Sequence, residues 1–130
     1  MPREYHKGTW EENRSFSPAV VTKGGKTIWL AGVGARADEA GNSLAGNFEA
    51  QARATFKAIE KNLAMAGGKL DDIVTMTVFT LDTRHGDHFT EMRKEYFSGG
   101  YPGSALITVA GFAHPDMMIE IQAIAVIGDE

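Results

Sequence analysis

The segment Met118–Ile127 places apolar side chains on both parities. Ile119, Ile121, Ala123, Ala125 and Ile127 share one face of an extended chain, and Ile124 and Val126 join Glu120 and Gln122 on the other. Successive side chains of a strand point to opposite faces of its sheet. A strand with apolar residues on both faces needs cover on both. The β-branched run Ile73–Leu81 repeats the demand, with Val74, Met76 and Val78 set against Ile73, Phe79 and Leu81. Whatever fold this chain takes must supply two covering layers to one sheet.

One layer is visible in the sequence. Phe48, Ala52, Phe56, Ile59 and Leu63 recur at helical spacing, which predicts an amphipathic helix over about Asn47 to Ala66. Asn47 is a good N-cap and Gly67-Gly68 a good stop. A second helix is expected to carry Phe89, Met92, Tyr96 and Phe97, ended by Gly99-Gly100 and Pro102. Val20-Val21-Thr22, the glycine turn Lys23-Gly24-Gly25-Lys26, and Thr27 to Ala31 read as strand, tight turn, strand. Ala105 to Ala110 reads as a strand, separated from the last one by a turn at His114-Pro115-Asp116. The polar first segment, Met1 to Pro18, with Tyr5, Trp10 and Phe16 as isolated aromatics, suits an arm or an edge strand. The order is strand-strand-helix-strand-helix-strand-strand, and right-handed crossovers put both helices on one face. The other face stays bare, and self-association in a closed ring covers it.

The 130 residues suit one domain, 1–130, with 43% hydrophobic and 23% charged residues. The formal charge of −4, with basic residues scattered among acidic ones, argues against a nucleic-acid partner. The absence of cysteine excludes disulfides, thiolate zinc sites and cysteine nucleophiles. The longest apolar run, Ala123 to Gly128, is far short of a membrane span, and Met1 to Gly8 holds no signal-type stretch. No membrane association and a cytoplasmic location are the expectations.

A family resemblance rests on residues spread along the chain. Phe16-Ser-Pro-Ala-Val is followed by Ile28-Trp-Leu-Ala-Gly, and Gln51 leads into Asn62-Leu63 and Ala66-Gly67. Then come Leu70-Asp-Asp-Ile-Val74, Phe79-Thr-Leu-Asp82, Tyr96-Phe97, Tyr101-Pro102 and the closing Ile119-Glu-Ile-Gln-Ala-Ile-Ala125. In this order and spacing, over roughly Phe16 to Val126, the chain resembles the RidA/YjgF family, also called the L-PSP endoribonuclease family. The resemblance implies an α+β, chorismate-mutase-like domain: a mixed β-sheet with two helices packed on one face, assembled as a homotrimeric barrel. It also implies small-molecule sites between subunits. The best-known branch hydrolyses reactive enamines and imines to keto acids and ammonia without metal or organic cofactor. That branch holds the substrate carboxylate with an arginine whose place here falls on Ser104, in Tyr101-Pro-Gly-Ser-Ala-Leu. A serine hydroxyl cannot replace the charge of a bidentate guanidinium. The family's polar helix position, often Asn, falls on Arg93, which could supply the cation from another side of the cleft.

Each candidate residue has a plainer alternative. Glu120, inside an apolar strand, is either the carboxylate that activates water or one side of a structural ion pair or solvated channel. Arg93 is either a substrate contact or a surface residue pairing with Asp87, Glu91 or Glu95. Ser104 is cleft lining or a strand-edge hydroxyl, and Phe16 a cleft wall or core. With Ala31, Gly32 and Leu106, these form the expected substrate-binding set around a catalytic Glu120. His85 and His88, three apart, could share a metal, but a solvated helix start is the simpler reading. Gly32-Val-Gly34 lacks the third glycine of a dinucleotide fingerprint. The leading expectation is a metal-free deaminating hydrolase of a small enamine or imine. A non-catalytic ligand-binding or chaperone-like protein is the alternative, and an endoribonuclease stands behind both.

Overall fold

The computed structural model describes residues 3–8 and 13–130; Trp10 lies outside the described residues. The elements run β1 (Glu4–His6), β2 (Ala19–Val21), β3 (Lys26–Trp29), α1 (Phe48–Met65), β4 (Ile73–Thr80), α2 (Gly86–Arg93), β5 (Gly103–Thr108) and β6 (Ile119–Ile127). The main sheet has four strands in the order β3-β6-β4-β5. Its β4–β5 pair is parallel, and β6 is antiparallel to both β3 and β4. The expected mixed α+β architecture is therefore present.

Helix α1 forms where its apolar stripe and caps predict. The Asn47 side chain accepts a hydrogen bond from the Ala50 amide at 3.0 Å. At the other end Gly67 takes φ 84° and Gly68 donates its amide to the Leu63 carbonyl at 2.8 Å. Phe48, Ala52, Phe56, Ile59 and Leu63 are all buried. They pack with Phe89 and Met92 of α2 against Met76 and Val78 of β4 and Ile119, Ile121, Ala123 and Ala125 of β6. Both helices thus cover one face of the sheet.

Three expectations change in detail. The glycine turn is real, with Gly24 and Gly25 at φ 70° and 81°, but its flanking strands do not pair with each other. β2 pairs with β1, and β3 crosses to β6, with Ile28 opposite Ala125. The turn therefore hands the chain from a small two-stranded sheet to the main one. Second, α2 ends at Arg93, before Tyr96 and Phe97. The tighter turn that follows still stacks Tyr96 on Phe56, ring centroids 4.1 Å apart. Third, a register shift between Ile73 and Thr75 changes the parity of β4. Ile73 consequently joins Met76 and Val78 in the buried core instead of sharing the face of Phe79.

The face away from the helices presents Thr75, Thr77 and Phe79 of β4, Glu120, Gln122 and Ile124 of β6, Ala105 and Ile107 of β5, and Trp29 of β3. Trp29 is 76% exposed and Ile107 42%. Among the described residues no helix is long and apolar enough to cross a membrane.

Candidate functional site

Glu120 stands near the start of β6 on the bare face, in register with Phe79 of β4, which is itself opposite Ile107 of β5. Past β3 the chain continues along β6, where Val33 and Ile121 exchange two backbone hydrogen bonds of 2.9 Å. This lays Gly32 against the Glu120 side chain. A methyl group on Gly32 would lie 2.6 Å from Glu120 Oε2, so glycine alone lets the carboxylate rest on the backbone. Among the described residues Glu120 has no side-chain hydrogen bond and no ion pair, which leaves the ion-pair reading without a partner. Ala31 and Gly32 are both exposed beside it. A half-buried carboxylate with free lone pairs can hold a water molecule and take its proton.

Arg93, the last residue of α2, is 3% exposed. Its Nε donates to Ser15 Oγ at 3.1 Å, its Nη1 to Ser104 Oγ at 2.6 Å and its Nη2 to the Arg14 carbonyl at 3.4 Å. Its Cζ sits 5.2 Å from the centroid of the Phe89 ring. The helix carboxylates are held elsewhere: Glu91 by Lys94 at 2.9 Å, Glu95 by Arg53 at 3.2 Å and Asp87 by Arg14 at 3.0 Å. Burial pushes the Arg93 guanidinium down to about 10, and repulsion from Arg14 adds to the effect. Ser15 is fully buried, has φ 61° and donates its hydroxyl to the Thr90 carbonyl at 2.6 Å. No motif in the sequence pointed to Ser15. Its role emerges only where residues 14–15, α2 and β5 meet.

Ser104 and Leu106 point to the helix side of β5, in register with Met76 and Val78. Leu106 reaches α2 so closely that a methyl on Gly86 would lie 2.8 Å from its Cδ2. Phe16 is half-buried and lines a cavity of about 380 Å³ with Lys7, Gly8, Ser17 and the Phe97–Tyr101 turn. Ser17 secures that wall by donating its hydroxyl to the Tyr101 carbonyl at 2.6 Å and its amide to the Pro102 carbonyl at 2.9 Å. The expected residues thus gather as two groups. Glu120, Gly32 and Ala31 lie on the bare face, while Arg93, Ser104 and Leu106 lie on the helix side, with Phe16 next in sequence to Ser15 and Ser17.

Among the described residues the histidines form no centre. The His85 ring stacks on Phe48 at 4.1 Å, and His88 Nε2 lies 2.8 Å from Glu49 Oε1. Among the described residues no three His, Cys, Asp or Glu side chains cluster to hold a metal.

The chain is similar to known proteins along most of its length. A sequence profile of the family Endoribonuclease L-PSP matches residues 10–127. A RutC family protein of Pyrococcus abyssi is 30% identical over 110 residues, which cover 85% of this chain and 84% of the relative. Among solved structures, the Rid family protein YyfB of Yersinia pestis, of unknown function, superposes with a TM-score of 0.85 at 21% identity, covering 98% of this chain and 100% of that one. RidA from an Antarctic Psychrobacter superposes with a TM-score of 0.71 at 29% identity, covering 87% of this chain and 89% of that one.

Proposed function

Because the chain belongs to the Endoribonuclease L-PSP (RidA/YjgF) family, we propose that it is a cytoplasmic homotrimer that hydrolyses a small enamine or imine at clefts between subunits. The observation that carries this reading is the Glu120 carboxylate, free of protein partners among the described residues and resting on Gly32. An imine carbon is electrophilic, and its hydrolysis needs one water and one proton relay. Glu120 takes a proton from the water as its oxygen attacks the imine carbon. It then returns that proton to nitrogen, and the carbinolamine collapses to a carbonyl with loss of ammonia. Atoms balance with no redox step: imine plus water gives carbonyl plus ammonia.

The bare sheet face supports the trimer. Trp29, Phe79, Ile107 and Ile124 would be withdrawn from water by neighbouring copies. Register sets Glu120 and Ser104 on opposite faces of one sheet, so a cleft using both is completed by a second subunit.

The test is ammonia release from imines generated in situ by an amino-acid oxidase. The protein should accelerate release, and Glu120→Gln should lower its rate by about 10²-fold or more, the scale of a lost acid–base group. An unchanged rate in Glu120→Gln would remove Glu120 from the chemistry. Absence of any acceleration, with ligand binding retained, would favour a binding protein.

A further inference from the structure

The outer side of α1 departs from what an amphipathic helix usually shows to water. Its inner side is filled by the stripe from Phe48 to Leu63, and the opposite side is ordinarily charged or polar. Here Ala50, Ala54 and Ala58, each one turn from the next, form the floor of a groove of about 690 Å³. The loop before the helix stands across from them as a second apolar wall, with Ala37 and Leu44 facing the floor. That wall is held in place by its own bonds. The Asp38 carboxylate accepts the Ala40 and Asn42 amides at 3.0 and 2.8 Å, the Leu44 amide donates to the Arg36 carbonyl at 2.8 Å, and Gln51 ties the Leu44 carbonyl to α1. Two apolar walls kept apart forgo the contact that close packing would give them. The groove lies on the side of α1 away from the sheet, so assembly through the bare sheet face leaves it open.

Charge decides what fits there. Arg53, Lys57 and Lys61 line the same groove at a spacing of four residues, about 6 Å along the helix axis. Arg53 is already taken by Glu49 and Glu95, each at 3.2 Å. Lys57 holds Glu39 at 3.2 Å with both side chains well exposed, a pair of the kind that contributes little and opens readily. Lys61 has no side-chain hydrogen bond and no ion pair among the described residues. The Asp38 carboxylate is occupied by its own turn. Two available cations one turn apart therefore stand over an apolar floor. A second copy of α1 would bring its own lysines to the same groove, and like charges facing each other oppose such pairing. We propose that this groove is a docking site for an acidic amphipathic helix of another protein. The helix would lay small apolar residues on Ala50, Ala54 and Ala58 and place carboxylates four residues apart against Lys57 and Lys61. Methyl side chains on the floor let two helix axes approach to about 8 Å, and a helix in an apolar groove is a common mode of recognition. The surface is separate from Glu120 and rests on no part of the hydrolytic reading.

Fluorescence anisotropy with labelled synthetic peptides tests the assignment on the intact protein. Each peptide is alanine-rich and about 18 residues long, enough to form a helix in water. The first carries an alanine and leucine face flanked by glutamates at i, i+4 and i+8. The second has lysine at the glutamate positions, and the third scrambles the first so that no apolar face remains. The first should bind with a Kd below about 1 mM, and the second should not bind. The third should bind at least about tenfold more weakly than the first, because it brings charge without apolar contact. Lys61→Glu alters a side chain with no partner to lose. It should weaken the first peptide about tenfold and admit the second. Ala54→Trp fills the groove from the outer side of α1. It should abolish binding of the first peptide and melt like wild type, since that side is away from the core. The proposal is overturned if the first peptide does not bind, if the scrambled peptide binds equally well, or if either variant leaves the affinity of the first unchanged.

Discussion

At Gly32 the backbone comes within reach of the Glu120 carboxylate because no side chain projects from its Cα. The φ of Gly32 lies outside the left-handed region, so alanine fits the backbone there, and only the mobile end of Glu120 must give way. Gly32→Ala is therefore expected to melt within about 0.5 kcal/mol of wild type. Its rate of imine hydrolysis should fall by about 10²-fold, the order expected when a reacting group is misplaced by an ångström. Thermal denaturation and the ammonia assay, run on the same preparation, check both halves. At this scale the sequence was partly readable. A glutamate inside an apolar strand stands out against its neighbours. Arg93 stood at the border of a helical stripe, and helix phase alone could not reveal that residues 14–15 and Ser104 close over it. Ser15 was invisible, because a left-handed φ is imposed by the surroundings and leaves no mark on residue type.

The elements are joined by a few buried polar side chains, Gln51 among them. It is fully buried on α1. Its Nε2 donates to the carbonyls of Leu44 and Asp116 at 3.1 and 2.8 Å, and its Oε1 accepts the Met118 amide at 2.8 Å. This fastens the loop before α1 and the entry to β6, two residues ahead of Glu120, to one helix. Gln51→Leu keeps the volume and strands three backbone groups, so unfolding in urea should show a loss of about 3 kcal/mol. The helices and long strands were legible because their periodicity is local: the α1 stripe, the β4 run and the β6 alternation each lie within one segment. Partners were less legible. The Gly24-Gly25 turn announces a change of direction, yet β3 chooses β6, about a hundred residues away, over its neighbour β2. The shift at Ile73/Thr75 was likewise hidden, since a bulge is defined by the strand opposite.

For the whole molecule the decisive feature is the sheet face that one chain leaves bare. Trp29, at 76% exposure, is its most exposed large side chain. Trp29→Glu should preserve the far-ultraviolet circular dichroism of the fold. In sedimentation it should shift the protein from the proposed assembly of three 14.1 kDa chains toward the single chain, with the proposed ammonia release falling alongside. A Trp29→Glu variant that sediments like wild type would place the interface elsewhere. The same sheet also ends on β3 at one side and β5 at the other, without a further strand among the described residues. Unpaired edges offer main-chain donors and acceptors to any strand that arrives, correct or not. Recovery from denaturant is then a race between orderly association and indiscriminate edge pairing. Its yield should pass through an optimum in protein concentration, with solitary chains at the dilute end and aggregates at the other.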